Sequence, residues 1–272
     1  GANTTGWLGR AADKLALDGA AAPAMAVGSL QAPLALRGRR AVVPAIDRVE
    51  EVDYEVDGRG GLEGARREAL RRFVDDADGD DPLNRDIEAV ARAAMDESER
   101  IRRALSRWRP RAEWPTHELG ERLHAVARLA GSGYGTRLFH VAHTGFDTHA
   151  RQQPTHAGLL RQLDGALAAL RDELLPRKLW QDTLVLVHSE FGRRAAENAS
   201  QGTDHGAAAP VFLLGGAGAP GLLGEAPNLG SLVDGDLPAT ADFRALYGDA
   251  LAFLGLDHSG ILGPGIQRMK AV

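Results

Sequence analysis

Three consecutive segments in the second half of the chain leave few folds open. TRLFHVA (136–142) is a short apolar run. A stretch over 154–175 then carries Leu159, Leu160, Leu163, Leu167, Leu170 and Leu174 at helical spacing, and DTLVLVHSE (182–190) is a second unbroken apolar run. A recurrence near 3.6 residues predicts an amphipathic helix, and brief apolar runs between turn signals predict strands buried on both faces. APVFLLGG (209–216) predicts a further strand, and ADFRALYGDALAFLGL (241–256) a closing helix. Strand, helix, strand, loop, strand and helix in that order specify an α/β chain, its sheet mainly parallel and sandwiched by helices.

The first half fits the same plan less densely. TTGWLGRAADKLAL (4–17) predicts a short capped helix, and AMAVGS (24–29) and AVVPAI (41–46) predict strands. Residues 63–73 and 84–109 are helical in pattern, separated by DDADGDD (75–81), with Arg66, Arg67, Arg71 and Arg72 on one side and Arg100, Arg102, Arg103, Arg107, Arg109 and Arg111 on the other. This region, about 50–115, is expected to be a helical insertion with solvated faces. Pro110 and Trp114-Pro115 join it to a helix over 116–130. At 272 residues the whole chain, 1–272, is expected to form a single domain.

Several chemistries are excluded at once. The chain has no cysteine, which removes disulfides, thiolate ligands and thiol nucleophiles. A net charge of −5 gives no reason to expect nucleic acid as a partner, and no apolar run is long enough to span a bilayer. DDADGDD fails as a calcium loop, because aligning its glycine to the sixth position puts Arg85 where the twelfth requires glutamate. GSGYG (131–135) joins a helix to a strand and is better explained as a helix cap and turn than as a phosphate loop. The basic stretch RIRRALSRWRPR (101–112) has acidic residues immediately upstream and reads as a charged helix face.

Eight of the nine histidines lie between positions 117 and 205. In open α/β sheets ligands bind beyond the carboxyl ends of the strands, and three strand-linked segments carry polar groups there. Asp147 and His149 follow the first strand. His188, Ser189 and Glu190 end the second, ahead of Phe191-Gly192-Arg193-Arg194. Asp204 and His205 lie in the loop entering the third. Carboxylates and imidazoles without thiolate suit a divalent metal: zinc first, manganese or calcium where oxygen dominates. Plainer roles exist for each residue. Asp147-x-His149 can be a capped turn, Glu190 a partner of Arg193 or Arg194, Asp204 a turn residue, and His156 a first-turn residue of the long helix. The case for a site rests on their joint placement.

The segments LFHVAHTGFDTHARQQPTHAGLLRQLDGALAAL, TLVLVHSEFGRR and GTDHGAAAPVFLLGG resemble the family catalogued as domain of unknown function 1501. TTGWLGR at the start and DLPATADFRALYGDALAFLGLD near the end fit as well, and the likeness is thinnest over 50–115. Members are bacterial proteins commonly exported through a twin-arginine signal, and they group with the alkaline phosphatase and sulfatase superfamily. The resemblance implies that fold, a periplasmic or exported location, and one or two divalent metals held beyond the sheet. It also implies transfer of phosphoryl or sulfuryl groups from a small-molecule or polymer ester. By motif, Asp147, His149, Glu190 and His205 would bind metal, while His156, Ser189, Arg193 and Asp204 would support the ligands or the substrate.

Two departures are visible. Phe191 stands where a ligand or substrate-binding group is usual. The superfamily's N-terminal strand, with its nucleophile and a further metal-binding aspartate, would precede TTGWLGR, so the chain is expected to be truncated there. Neither Ser189 nor Thr144 occupies the nucleophile's place. Beside the hydrolase, two readings therefore stand: a non-catalytic relative acting as a binding or scaffolding module, and Asp147 with His149 as a metal-free general base pair.

Overall fold

A computed structural model describes residues 5–17, 22–47, 68–69, 71–72, 82–106, 108–216, 218 and 220–272. Its centre is a three-stranded parallel sheet in the order β2-β1-β3, formed by β1 (Ala24–Val27), β2 (Ala45–Ile46) and β3 (Leu138–Val141). All four residues of β1 are buried, as a central strand requires. Alternation sends Ala24 and Ala26 to one face and Met25 and Val27 to the other.

Each face carries helices. Ala24 and Ala26 pack on Ala11, Ala12 and Leu15 of α1 (Trp7–Leu17), Leu251 of α5 (Phe243–Phe253) and Ile261 of α6 (Ser259–Leu262). Met25 and Val27 pack on Ile101 and Leu105 of α2 (Pro82–Ser106) and on Ala125 and Leu129 of α3 (Glu118–Gly131). A third cluster joins α3, through Leu119, Leu123 and Ala127, to Ala166, Leu170 and Leu174 of α4 (Gln152–Leu174). The chain is thus mixed α/β, with a small parallel sheet between helical layers.

The later strands depart from the sequence pattern. β4 (Leu184–Val187) and β7 (Phe212–Gly215) pair with each other antiparallel, apart from the three-stranded sheet. Every residue of β4 is only half-buried, so the expectation of a strand buried on both faces is not met. A strand with one partner keeps an open edge and less cover, which an apolar run alone does not reveal. Phe212 on β7 is exposed. In α4 the leucine stripe holds except at Leu160, which is exposed, while Ala166 and Ala169 complete the buried face.

Helix α2 pairs Glu97 with Arg100 at 2.9 Å and Glu99 with Arg103 at 2.7 Å. Of the helix expected over 63–73, residues 68, 69, 71 and 72 are helical and the rest lie outside the described residues, as does the acidic stretch 75–81. Gly133 and Gly135 take positive φ after α3, giving GSGYG the cap-and-turn role. Among the described residues no helix is long and apolar enough to cross a membrane.

Candidate metal centre

Beyond β3 the chain turns through Gly145, at φ +99°, and presents Asp147 and His149 before entering α4. From the far side of α4's first turn, a loop over 198–204 delivers His205. His205 Nε2 lies 2.7 Å and His149 Nε2 lies 2.9 Å from the same Asp147 Oδ1. The ligand atoms of Asp147, His149 and His205 all lie within 4.8 Å of one another, and all three residues are exposed.

The loop is built to reach this point. Asn198 Oδ1 accepts from the amides of Ser200 at 2.9 Å and Gly202 at 3.1 Å, curling the chain into a tight knot. The carbonyls of Ser200 and Gln201 then accept from the amides of Arg151 and Gln152 at 3.0 and 2.9 Å, so the loop helps satisfy the start of α4. Gly202 rests on the backbone of His149, and a Cβ there would stand 2.5 Å from the His149 carbonyl oxygen. Only glycine fits that approach.

Two short strands finish the placement. β5 (Gly192–Arg193) pairs antiparallel with β6 (His205–Gly206), setting Arg193 opposite His205. The Arg193 guanidinium donates to the carbonyls of Thr203 and Phe146. It therefore ties the loop before His205 to the turn before Asp147.

Charge is arranged around His149 as well. Asp204 Oδ1 lies 3.4 Å from His149 Nδ1, on the ring nitrogen opposite Asp147. A carboxylate on the second nitrogen of a ligating histidine fixes its tautomer and orientation. Asn198 Nδ2 in turn donates to Asp204 at 3.2 Å. Hydrogen bonds, from His205 first and then His149, hold the Asp147 carboxyl below the usual aspartate range. Those from Asn198 and then His149 do the same for Asp204. One carboxylate and two imidazoles are a three-ligand set of the kind found at catalytic zinc, and this donor chemistry fits a divalent ion.

The other anticipated residues are placed differently. Glu190 is exposed and stands outside the three-residue group. It pairs with neither neighbouring arginine: Arg193 holds backbone carbonyls, and Arg194 meets Asp236 at 3.2 Å. Ser189 is exposed and receives a long 3.5 Å contact from the Phe191 amide. His156 sits edge-on to Phe146, ring centroids 5.7 Å apart.

Phe191 lies flat on His205, centroids 3.8 Å apart and planes 8° apart. Its part here is thus to pack His205. Sequence reasoning also missed Asn198, although Asn198-Ala-Ser-Gln-Gly202 is recognisable turn material. A separate aromatic group was missed too: Trp7 stacks on Tyr247 at 4.3 Å, and Tyr247 meets His188 at 5.7 Å and Phe243 at 5.3 Å. Its rings come from α1, α5 and the end of β4, segments that give no joint signal in the sequence.

The family described as "Protein of unknown function (DUF1501)" matches residues 1–271. No curated protein and no solved structure matches the chain.

Proposed function

The chain belongs to the DUF1501 family over almost its whole length, and from that premise we propose that it is a metal-dependent hydrolase of phosphate or sulfate esters. The observation that carries this reading is the meeting of Asp147, His149 and His205, drawn from two segments 56 residues apart (205 − 149), at one point beyond β3. Two imidazoles and a carboxylate from separate segments, gathered at one point, make the kind of donor set a cation site uses. Zinc suits this donor set best, with manganese or calcium next. The alkaline phosphatase and sulfatase likeness and an exported location belong to the same proposal.

Asp147, His149 and His205 would hold the ion, which when bound supplies a Lewis acid for a phosphoryl or sulfuryl oxygen and lowers the pKa of attached water. The rest of the chemistry is the chain's own. Asp204 keeps His149 turned so that Nε2 faces Asp147, Phe191 fixes the plane of His205, and Arg193 keeps the two loops at their spacing. The site's exposure leaves room for an ester on a small molecule or a polymer.

A second reading, a binding or scaffolding module without turnover, draws on two observations: Glu190 stands outside the three-residue group, and Phe191, where the resemblance implies a ligand, is stacked on His205. A panel of phosphate and sulfate monoesters and diesters, assayed with added zinc and again with chelator, separates the two. Chelator-sensitive turnover of any of them supports the hydrolase. A folded, zinc-loaded protein that turns over none supports the module.

A further inference from the structure

At the opposite end of α4 from His149, the chain forms a cleft of about 620 Å³ whose rim includes Arg103, Trp108, Arg109, Arg111, Ser132 and Arg177. A volume in that range is what small-molecule sites occupy. We propose that this cleft binds a small polyvalent oxyanion, a molecule bearing phosphate or sulfate groups.

The charge balance carries the proposal. Arg177 pairs with Glu173 at 2.6 Å, and Arg103 pairs at 2.7 Å with Glu99, which Arg102 shares. Arg109 and Arg111 have no carboxylate among the described residues. Arg109 Nη1 donates to the carbonyls of Trp108 at 2.8 Å and Ser106 at 3.3 Å, and Arg111 Nη1 donates to Pro176 at 3.0 Å. Capping those carbonyls occupies a single nitrogen of each guanidinium. The Nε and Nη2 groups of both hold no acceptor among the described residues, leaving two donor forks of the kind that grip oxyanions. Two uncompensated cations beside two paired ones favour an anion between them.

Trp108 points the same way. Its ring is sandwiched between Gly131 and the Arg177 guanidinium, which sits 3.7 Å from the ring centroid, and its indole Nε1 is buried without a hydrogen-bond partner. The indole is therefore fixed in place as an apolar wall of the cleft. A second hollow, edged by Arg100 and Tyr134, shares Arg103, Ala104 and Ser132 with the first and extends the basic surface. The 23-residue helix α4 separates this cleft from the three-residue group by roughly 34 Å along its axis. Anion binding here is thus independent of the metal-site reading.

Titration calorimetry of the full chain at low salt tests the proposal, with pyrophosphate as an inorganic probe and a hexose bisphosphate as an organic one. Saturable binding of either is expected, the tighter of the two indicating the natural source, and it should weaken as ionic strength rises. R109Q/R111Q should weaken binding about tenfold or more. H205A should leave it unchanged. R109K/R111K keeps cations over the capped carbonyls and removes only the forks, so it should stay folded and bind more weakly than the native chain. Failure of both probes to saturate overturns the proposal, as does equal affinity in the native chain and both arginine variants, or loss of binding in H205A alone.

Discussion

Gly202 lies against His149 so closely that the carbonyl oxygen of one occupies the space beside which the other would carry a side chain. That contact sets the distance between the turn holding Asp147 and the loop holding His205. Gly202→Ala should therefore push the two apart. A cost of about 1–3 kcal/mol in stability is expected from the overpacking, together with weakened zinc binding. Chemical denaturation and a zinc titration measure the two effects. An alanine variant with native stability and native zinc affinity would show that the loop is not held by this contact.

Phe191 supports His205 through a parallel ring stack. Aromatic pairs contribute about 0.5–1.5 kcal/mol beyond simple burial. Phe191→Ala should thus lower metal affinity by about two- to twelvefold without changing which residues bind. Phe191→Tyr keeps the ring and should bind like the native chain. Equal zinc affinity in native and Phe191→Ala proteins would make the stack incidental.

Glu173 is fully buried and accepts from the amides of Arg111 and Ala112 at 2.8 and 2.9 Å and from Arg177. Burial alone would raise its pKa, but the amides of Ala112 and Arg111 and the Arg177 guanidinium outweigh it and hold the carboxyl below the glutamate range. A depressed folded-state pKa means stability that is complete above the unfolded value and fades as pH falls toward the folded one. Native protein should therefore lose stability in acid below the ordinary glutamate range. Glu173→Ala, which strands Arg177, should cost about 3–5 kcal/mol at neutral pH. Thermal melts of both proteins from neutral pH downward check this. Similar acid sensitivity in both would assign the loss to other groups.

Asp249 is likewise buried and gathers the C-terminal segment, accepting from Arg268 Nε at 2.8 Å and from the amides of Lys270 and Ala271 at 3.0 Å each. Asp249→Ala leaves those donors without an acceptor, at about 1–3 kcal/mol for each buried group. Limited proteolysis should then cut near residues 266–272 sooner than in the native chain. Unchanged cleavage rates there would mean that packing alone secures the segment.

The sequence carried the local signals well and the pairing of strands poorly. Leucine spacing located α4, and the polar residues after β3 located Asp147 and His149, because both patterns are set by neighbours in the chain. The antiparallel pairing of β4 with β7 is a relation between distant segments. An apolar run such as Leu184–Val187 announces burial but neither the partner nor its direction. Glu190 was anticipated beside the histidines from the motif around it, yet its position depends on that strand geometry. His205 was found because its loop enters a strand, whereas Asn198 and Gly202, which hold the loop, act through backbone contacts that leave only a turn-like string.

The most direct measurement is the metal content of the purified native chain and of His205→Ala after equilibration with zinc, read by mass spectrometry beside a thermal melt. The native chain should retain one divalent ion, and His205→Ala should lose it while melting within a few degrees of native. A folded native chain that retains no divalent ion, or a His205→Ala variant that keeps it, would contradict the assignment of Asp147, His149 and His205 as a metal centre.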